Sequence, residues 1–205
     1  MNTYYQQAHF FQSSSKMSNL PAEKSYEIAF AGRSNAGKSS TLNTVCQQRS
    51  LARTSKTPGR TQLINFFALP DECYLVDLPG YGYAKVPDKV KFKWQRFIEE
   101  YLSHREMLTG IVLVMDIRHP LKDFDQLMLE WAVLNQLPVH IVLNKADKVK
   151  RGVASKTLLQ VKKQLKPLAL PISVQIFSAM KRDGVSRLWS VLDEWLHRES
   201  SEINR

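Results

Sequence analysis

A glycine-containing stretch near the start of the chain is the first pattern that could do chemistry. Residues 32–39 read Gly-Arg-Ser-Asn-Ala-Gly-Lys-Ser and match G-x-x-x-x-G-K-[ST] in full, between a predicted strand and a predicted helix. Glycines let backbone N–H groups turn inward around phosphates, and the following helix presents its positive end to them. We therefore expect Lys38 to reach the β- and γ-phosphates of a nucleotide and Ser39 to ligate Mg²⁺.

A second pattern, Asp-Leu-Pro-Gly at residues 77–80, follows a predicted strand. Asp77 is expected to hold Mg²⁺ through a water molecule, and the Gly80 N–H to donate to the γ-phosphate. The pattern D-x-x-G is common by chance. Its position after the third predicted strand gives it weight.

A third pattern, Asn-Lys-Ala-Asp at residues 144–147, follows another predicted strand. Guanine carries an N1–H and a 2-amino group, and one carboxylate accepts hydrogen bonds from both, which adenine cannot supply. We assign that carboxylate to Asp147. Asn144 would brace the pocket and touch the base edge, and the stem of Lys145 would cover a ring face.

A fourth, weaker signal is the pair Ser178-Ala179, which follows the last predicted strand. A backbone N–H there would donate to the guanine O6. Two small residues are little evidence by themselves, but their place after a strand matters. The four patterns occur in the order and spacing that a GTP pocket requires, and ATP would leave Asp147 without partners.

The elements that position these patterns alternate between strands and helices. The predicted strands are 27–32, 61–69, 73–78, 110–116, 138–143 and 172–177. The predicted helices are 38–48, 88–102, 124–134, 154–166 and 185–196. This alternation predicts an α/β fold: a mostly parallel six-stranded sheet with one antiparallel edge strand and helices on both faces. Ligands of such folds bind at the carboxyl ends of the strands, where all four patterns fall.

The length of 205 residues suits one domain. We expect a flexible leader over residues 1–24, a GTP-binding domain over 25–198 and a short tail over 199–205. No run of 18 apolar residues occurs, and the first residues lack a signal-peptide layout, so we expect a cytoplasmic protein without a membrane contact. The two cysteines are too few for a zinc cage or a disulfide framework.

The chain resembles the P-loop GTPases, and among them the EngB group (also called YihA or YsxC) of bacterial ribosome-assembly GTPases. The resemblance extends from about residue 26 to residue 195. It is carried by EIAFAGRSNAGKSS at 27–40, KTPGRTQLINFF at 56–67, YLVDLPGYGYAKV at 74–86, LNKADK at 143–148 and FSAMK at 177–181. The second and third of these segments are far more specific than the general GTPase motifs.

The resemblance implies a role in maturation of the large ribosomal subunit, and through it in cell division and septation, with GTP as substrate and Mg²⁺ as cofactor. It places Thr61 at the switch-one threonine that completes the Mg²⁺ shell together with Ser39, and Thr57 is the alternative. We expect Lys38, Thr61 and Gly80 to carry catalysis. The residues expected to contact GTP are Gly32, Arg33, Ser34, Asn35, Ala36, Gly37, Lys38, Ser39, Ser40, Gly59, Arg60, Thr61, Gln62, Leu63, Asp77, Leu78, Pro79, Gly80, Asn144, Lys145, Ala146, Asp147, Phe177, Ser178 and Ala179.

The residue after the D-x-x-G pattern bears on the rate of hydrolysis. Many signalling GTPases have a glutamine there, which orients the attacking water, and this chain has Tyr81. We therefore expect weak intrinsic hydrolysis that is stimulated from outside. The stimulus is either a ribosomal particle or a K⁺ ion held with the help of Asn35, as in related GTPases with asparagine there. Alternatively, Asn35 is a loop residue that bonds its own backbone.

Positive charge is concentrated in two segments. The chain has a formal net charge of +10, and residues 145–166 hold eight lysines and arginines against one acid. A second cluster lies at residues 85–96, in a segment expected to move between nucleotide states. We expect both faces to contact rRNA phosphates, which would make affinity fall steeply with salt. The alternative is that they are solvated helix faces.

Two other functions fit parts of the sequence. A signalling GTPase would recruit protein effectors, but such proteins often end in a lipidated cysteine, and this chain ends in Ser-Glu-Ile-Asn-Arg. A nucleotide-binding scaffold with negligible hydrolysis is consistent with Tyr81. We expect the protein to be a monomer.

Overall fold

A seven-stranded sheet organises the molecule. The computed structural model describes residues 2–22, 26–52, 63–80 and 88–198, without the side chains of 88–91 and 94. The strands are β1 (His9–Ser14), β2 (Glu27–Gly32), β3 (Ile64–Ala68), β4 (Tyr74–Asp77), β5 (Leu108–Asp116), β6 (Val139–Asn144) and β7 (Ile172–Ile176). Their order across the sheet is β1-β3-β4-β2-β5-β6-β7. Neighbouring strands are parallel except where β3 pairs with β1 and β4.

The predicted α/β fold with a mostly parallel sheet is confirmed, but the predicted number of strands is wrong by one. Strand β1 lies in the segment expected to be a flexible leader, and it forms one edge of the sheet. Its register shifts between Phe10 and Gln12, and both Phe10 and Phe11 are exposed. The bulge removes the alternating pattern by which a strand is predicted. Because β1 occupies the edge of the sheet, the antiparallel strand, which is β3, lies one place inside that edge and not at it as predicted.

Helices cover both faces of the sheet, as predicted. They are α1 (Thr3–Gln6), α2 (Lys38–Val45), α3 (Asp88–His104), α4 (Asp123–Leu134), α5 (Arg151–Leu165) and α6 (Val185–Trp195). One apolar cluster joins the sheet to α3, α4 and α5, for example through Ile98, Met128 and Val161. The other joins it to α1, α2 and α6, for example through Tyr5 and Leu42. No helix in the described ranges has the length and apolar character needed to span a membrane.

The first helix packs against the last one. The Tyr5 hydroxyl donates to Asp193 on α6 at 2.8 Å. The guanidinium carbon of Arg198 lies 3.1 Å from the centre of the Tyr4 ring, a cation–π contact. The Gln47 side chain, just after α2, donates to the backbone oxygen of Asn2 at 2.7 Å. Residues near both ends of the described chain therefore lie side by side.

A buried ion pair lies at the amino end of β2. Glu27 is fully buried and accepts hydrogen bonds from the Arg105 guanidinium at 2.5–3.1 Å and from the Tyr101 hydroxyl at 3.0 Å. Arg105 also donates to the backbone oxygen of Pro21 at 2.8 Å. These bonds attach the N-terminal segment to the core and give the buried carboxylate the partners it requires.

A buried histidine lies near the amino end of β6. The two ring nitrogens of His140 lie 2.6 Å from the Ser173 hydroxyl and 3.0 Å from the Gln175 side-chain oxygen, both on β7. Burial lowers the pKa of His140 to about 4, against a smaller raising effect of the Gln175 hydrogen bond. His140 is therefore neutral at pH 7.

Candidate GTP-binding site

The glycine-containing loop connects β2 to α2, and we call it the phosphate-type loop. Gly37 has a φ of +98°, and a Cβ there would lie 2.2 Å from the Asn144 side-chain nitrogen. A Cβ on Gly32 would lie 2.6 Å from the backbone oxygen of Val114 on β5. Both positions therefore require glycine, the first for its backbone conformation and the second for close strand packing.

The loop places Lys38 against Asp77. Lys38 is the first residue of α2 and Asp77 the last of β4, and β4 lies beside β2 in the sheet. The Lys38 ammonium group contacts the Asp77 carboxylate, and both residues are buried. A cation suited to phosphate and a carboxylate suited to the shell of a divalent metal thus meet at the carboxyl edge of the sheet.

Asn144 connects two loops of this edge. Its side-chain nitrogen donates to the backbone oxygen of Ala36 at 3.0 Å, and its side-chain oxygen accepts from the Ala179 N–H at 3.1 Å. Its exposed fraction is only 2%. The last residue of β6 therefore holds the phosphate-type loop to the loop that follows β7.

Lys145, the residue after β6, contacts the phosphate-type loop. Its ammonium group donates to the backbone oxygen of Asn35 at 2.5 Å and lies 3.0 Å from the Asp116 carboxylate. Burial raises the pKa of Asp116, but hydrogen bonds from Arg118 and Lys145 outweigh it and hold that pKa below its ordinary value. Asp116 is a candidate site residue that no motif indicated, although it ends a predicted strand at the same edge.

Asp147 is held as a carboxylate by its neighbour across the loop. The Ser178 hydroxyl donates to Asp147 at 2.6 Å and lowers the pKa of that carboxyl group. Ser178 also accepts from the Lys181 N–H at 3.2 Å, which fixes the direction of its proton. One oxygen of Asp147 is thus tied to the protein in the ionised form that accepts hydrogen bonds from a base.

A cleft of about 580 Å³ opens beside these residues. Its lining includes Gly37, Ser40, Asn144, Asp147 and Ala179. It also includes residues that no motif indicated, among them Thr44, Gln47, Arg49 and Arg182. Thr44 lies in α2, Gln47 and Arg49 follow that helix, and Arg182 lies in the loop beyond Ala179, so none of them belongs to a pattern at a strand end.

Other predicted contacts face the core or lie outside the described ranges. The side chains of Leu78 and Phe177 are buried in the two apolar clusters, so only their backbone is available. The Ala146 N–H donates to the backbone oxygen of Phe177 at 3.1 Å, and this bond joins the loop after β6 to the loop after β7. Outside the described residues lie Thr57, Gly59, Arg60, Thr61, Gln62 and Tyr81.

Comparison with solved structures supports the fold. The chain is similar to a crystal structure of a probable GTP-binding protein EngB, with a TM-score of 0.67 and 22% identity over 83% of this chain and 98% of that one. It is also similar to Era of Aquifex aeolicus bound to GDP and aluminium fluoride, with a TM-score of 0.64 and 20% identity over 89% and 60% of the two chains. At these identities the likeness establishes architecture only.

Sequence comparison establishes the family. Residues 27–145 match the family described as 50S ribosome-binding GTPase. The chain is 53% identical to the probable GTP-binding protein EngB of Vibrio parahaemolyticus over 192 residues, 94% of this chain and 88% of the relative. It is 52% identical to the protein of the same name in Pasteurella multocida over 198 residues, 97% of both chains. The chain therefore belongs to the EngB family of P-loop GTP-binding proteins.

Proposed function

We propose that this protein binds Mg²⁺-GTP and hydrolyses it to GDP and phosphate as a switch in assembly of the large ribosomal subunit, with a consequent role in cell division and septation. The observation that carries the nucleotide part is Asp147, an ionised carboxylate fixed by Ser178 at a cleft that also reaches the phosphate-type loop. The family supports the ribosomal part.

The residues at the sheet edge fit this substrate and its metal. Gly32 and Gly37 allow a loop that a Cβ would obstruct, and Lys38 lies at the N-terminus of α2, where phosphate is favoured. Hydroxyl and carboxylate oxygens are the ligands Mg²⁺ prefers, which suits Ser39 and, through water, Asp77. We propose Thr61 as the remaining ligand. Bound Mg²⁺ would neutralise charge that develops on the phosphates.

Each group then has a separate task. Lys38 would balance the charge of the β- and γ-phosphates, and the Gly80 N–H would donate to the γ-phosphate. Asp147 would accept from the guanine N1–H and 2-amino group, and the Lys145 stem would cover the ring. Because Tyr81 takes the place of the usual glutamine, water activation depends on a stimulus from outside the pocket.

A comparison of cations tests one source of that stimulus. Asn35 has a φ of +65° at the edge of the loop, and we propose that it helps to hold K⁺ near the phosphates. Single-turnover hydrolysis should then be faster in K⁺ than in Na⁺, and an Asn35→Ala variant should lose the difference. Equal wild-type rates in both salts would remove the potassium proposal and leave the ribosomal particle as the stimulus.

The proposed ribosome contact is the basic face of residues 145–166, whose members on α5 and directly after it include Lys156, Lys162, Lys163 and Lys166. These four residues are exposed, whereas Val161 and Leu165 of the same helix are buried against the sheet. Residues 148–182 contain no acid. A surface of this kind neutralises nucleic-acid phosphates with little repulsion.

The second basic cluster, at residues 85–96, is a further proposed contact. Its exposed members on α3 are Lys93 and Arg96. Lys85 and the side chains of Lys89 and Lys91 lie outside the described part of the molecule. Because this helix follows the Asp77–Gly80 segment, we propose that nucleotide state changes how it is presented.

Co-sedimentation with large-subunit precursors tests the whole proposal. We expect association with GTP and not with GDP, and its loss in Lys38→Ala. Charge reversal of Lys162 and Lys163 to Glu should weaken association and flatten its salt dependence. The matched control reverses the exposed Lys16 and Arg187, which changes net charge equally, and it should bind normally.

Hydrolysis on the particle separates the proposed switch from a scaffold. Single-turnover hydrolysis should accelerate when large-subunit precursors are added to the protein. Association without any acceleration would indicate a nucleotide-binding scaffold. Equal effects of both charge reversals would count against α5 as the contact.

A further inference from the structure

Ser34, in the loop between β2 and α2, carries a buried hydroxyl without a partner. In the described part of the molecule, its Oγ is the one buried side-chain oxygen or nitrogen that makes no hydrogen bond. A buried hydroxyl without a partner costs free energy, because it has given up its bonds to water. Such a group indicates a defect, a bond to an ordered water or a bond that forms with a ligand.

The position of the hydroxyl favours a ligand. A Cβ built on Gly80 would lie 3.4 Å from Ser34 Oγ and 3.7 Å from Ser34 Cα. The hydroxyl therefore lies where the phosphate-type loop meets the Asp77–Gly80 segment. Lys38 and Asp77 make their contact at the same edge of the sheet, at the ends of α2 and β4 that adjoin these two segments.

We infer that the Ser34 hydroxyl donates a hydrogen bond to a γ-phosphate oxygen of GTP, and that it makes the pocket discriminate GTP from GDP. The inference rests on the proposed function, which gives the Gly80 N–H the same phosphate. Two donors from different segments would then converge on the group that GTP has and GDP lacks. A hydrogen bond between a neutral hydroxyl and a charged oxygen is among the stronger kinds.

Removing only the hydroxyl tests the inference. In Ser34→Ala the side chain keeps its Cβ and loses no hydrogen bond within the protein, so the thermal midpoint should not fall. Affinity for a non-hydrolysable GTP analogue should fall about tenfold or more, and affinity for GDP should stay within about twofold. Isothermal titration calorimetry with both nucleotides in Mg²⁺ measures the two constants. Ser155→Ala, on the exposed side of α5, is the matched control and should change neither.

The possible results separate this inference from the proposed function. An unchanged ratio of the two affinities in Ser34→Ala would overturn the inference while leaving GTP binding in place. An equal loss for GDP and the analogue would overturn it too, because Ser34 would then shape the loop in general. A wild-type protein that binds neither nucleotide would overturn the proposed function itself, and the inference with it.

Discussion

Polar side chains at the two ends of the parallel strands differ in how many protein partners they have. At the amino ends, Glu27 and His140 have protein partners for their side-chain polar atoms. At the carboxyl ends, Ser34 has none, and Asp147 has one oxygen tied to Ser178 while its other oxygen is 3.5 Å from the Lys148 ammonium group. Glu27 and His140 thus satisfy their bonding within the protein, whereas Ser34 and Asp147 keep bonding capacity to spare, unlike Asn144 beside them, whose side-chain oxygen and nitrogen both have protein partners.

This contrast distinguishes polar groups that support the fold from those that bind. A buried charge that has all its partners contributes to the fold, and removing one partner is expensive. A group with spare capacity costs some stability and gains its partners from a ligand. Substitutions of His140 and of the partners of Glu27 should therefore change stability, and substitutions of Ser34 and Asp147 should mainly change nucleotide affinity.

The largest expected effect is at the amino end of β2. Arg105→Ala would leave Glu27 buried without its cation, and we expect a loss of about 3–5 kcal/mol in the free energy of unfolding. Urea denaturation measures it. Arg118→Ala breaks an exposed ion pair with Asp116 and should cost about 1 kcal/mol or less. If both variants lost the same free energy of unfolding, the contrast between the two ends of the strands would be wrong.

His140 provides the next largest effect, through pH. Its folded-state pKa of about 4 lies below the usual value near 6.5. Below pH 6.5 the unfolded chain therefore binds a proton that the folded protein does not, and stability falls as the pH drops towards 4. The full effect is on the order of 3 kcal/mol. His140→Gln keeps hydrogen-bonding capacity and should lose this part of the pH dependence. If the stability of the wild type and of His140→Gln changed with pH in the same way, His140 would not be the source of this pH dependence.

Asp147→Asn tests the carboxyl end. The amide nitrogen would present a donor to the donor groups of guanine, so GDP affinity should fall about 100-fold, or about 3 kcal/mol. Stability should fall by only about 1 kcal/mol or less, because the amide oxygen can still accept from Ser178 and the ion pair with Lys148 is a surface one. Xanthosine diphosphate, which has a carbonyl at C2, should recover much of the affinity. Calorimetry measures both, with exposed Asp123→Asn as the control. A loss of stability that matched the loss of affinity would count against a purely ligand-directed role.

The smallest expected effect concerns two glycines near the carboxyl ends of the strands, Gly152 and Gly37. Gly152, in the first turn of α5, has open space where a Cβ would lie, with no atom within 4 Å, unlike Gly37. Gly152→Ala should therefore stabilise the protein by about 0.5 kcal/mol through helix propensity and leave nucleotide affinity unchanged. Thermal unfolding and calorimetry report the two quantities. A weakened affinity would show that α5 is coupled to the pocket.

Much of the candidate site could be predicted because its residues sit at strand ends. Once the strands before Gly32, Asp77 and Asn144 are predicted, parallel topology brings their carboxyl ends together. The base-side hydrogen bond between Ser178 and Asp147 is a consequence of that placement. Patterns of residue type thus carry information about contacts that are distant in the chain.

The rest depends on details that no pattern encodes. Strand β1 is hidden because its bulge exposes Phe10 and Phe11 together. Asp116 has no motif of its own, and its importance comes from the reach of Lys145. The unpartnered state of Ser34 is a property of the space around one atom, which the residue type does not reveal.

The docking of α1 on α6 has a consequence for the order of folding. Tyr5 bonds to Asp193, so a contact of the first helix waits for almost the whole chain to be made. During synthesis the Tyr4 hydroxyl can bond to the backbone oxygen of Pro70 early, but Tyr5 lacks its partner Asp193 until the last helix is made. Docking of α1 on α6 is therefore a late event, and a nascent chain stalled before α6 should expose α1 to protease more than the finished protein does.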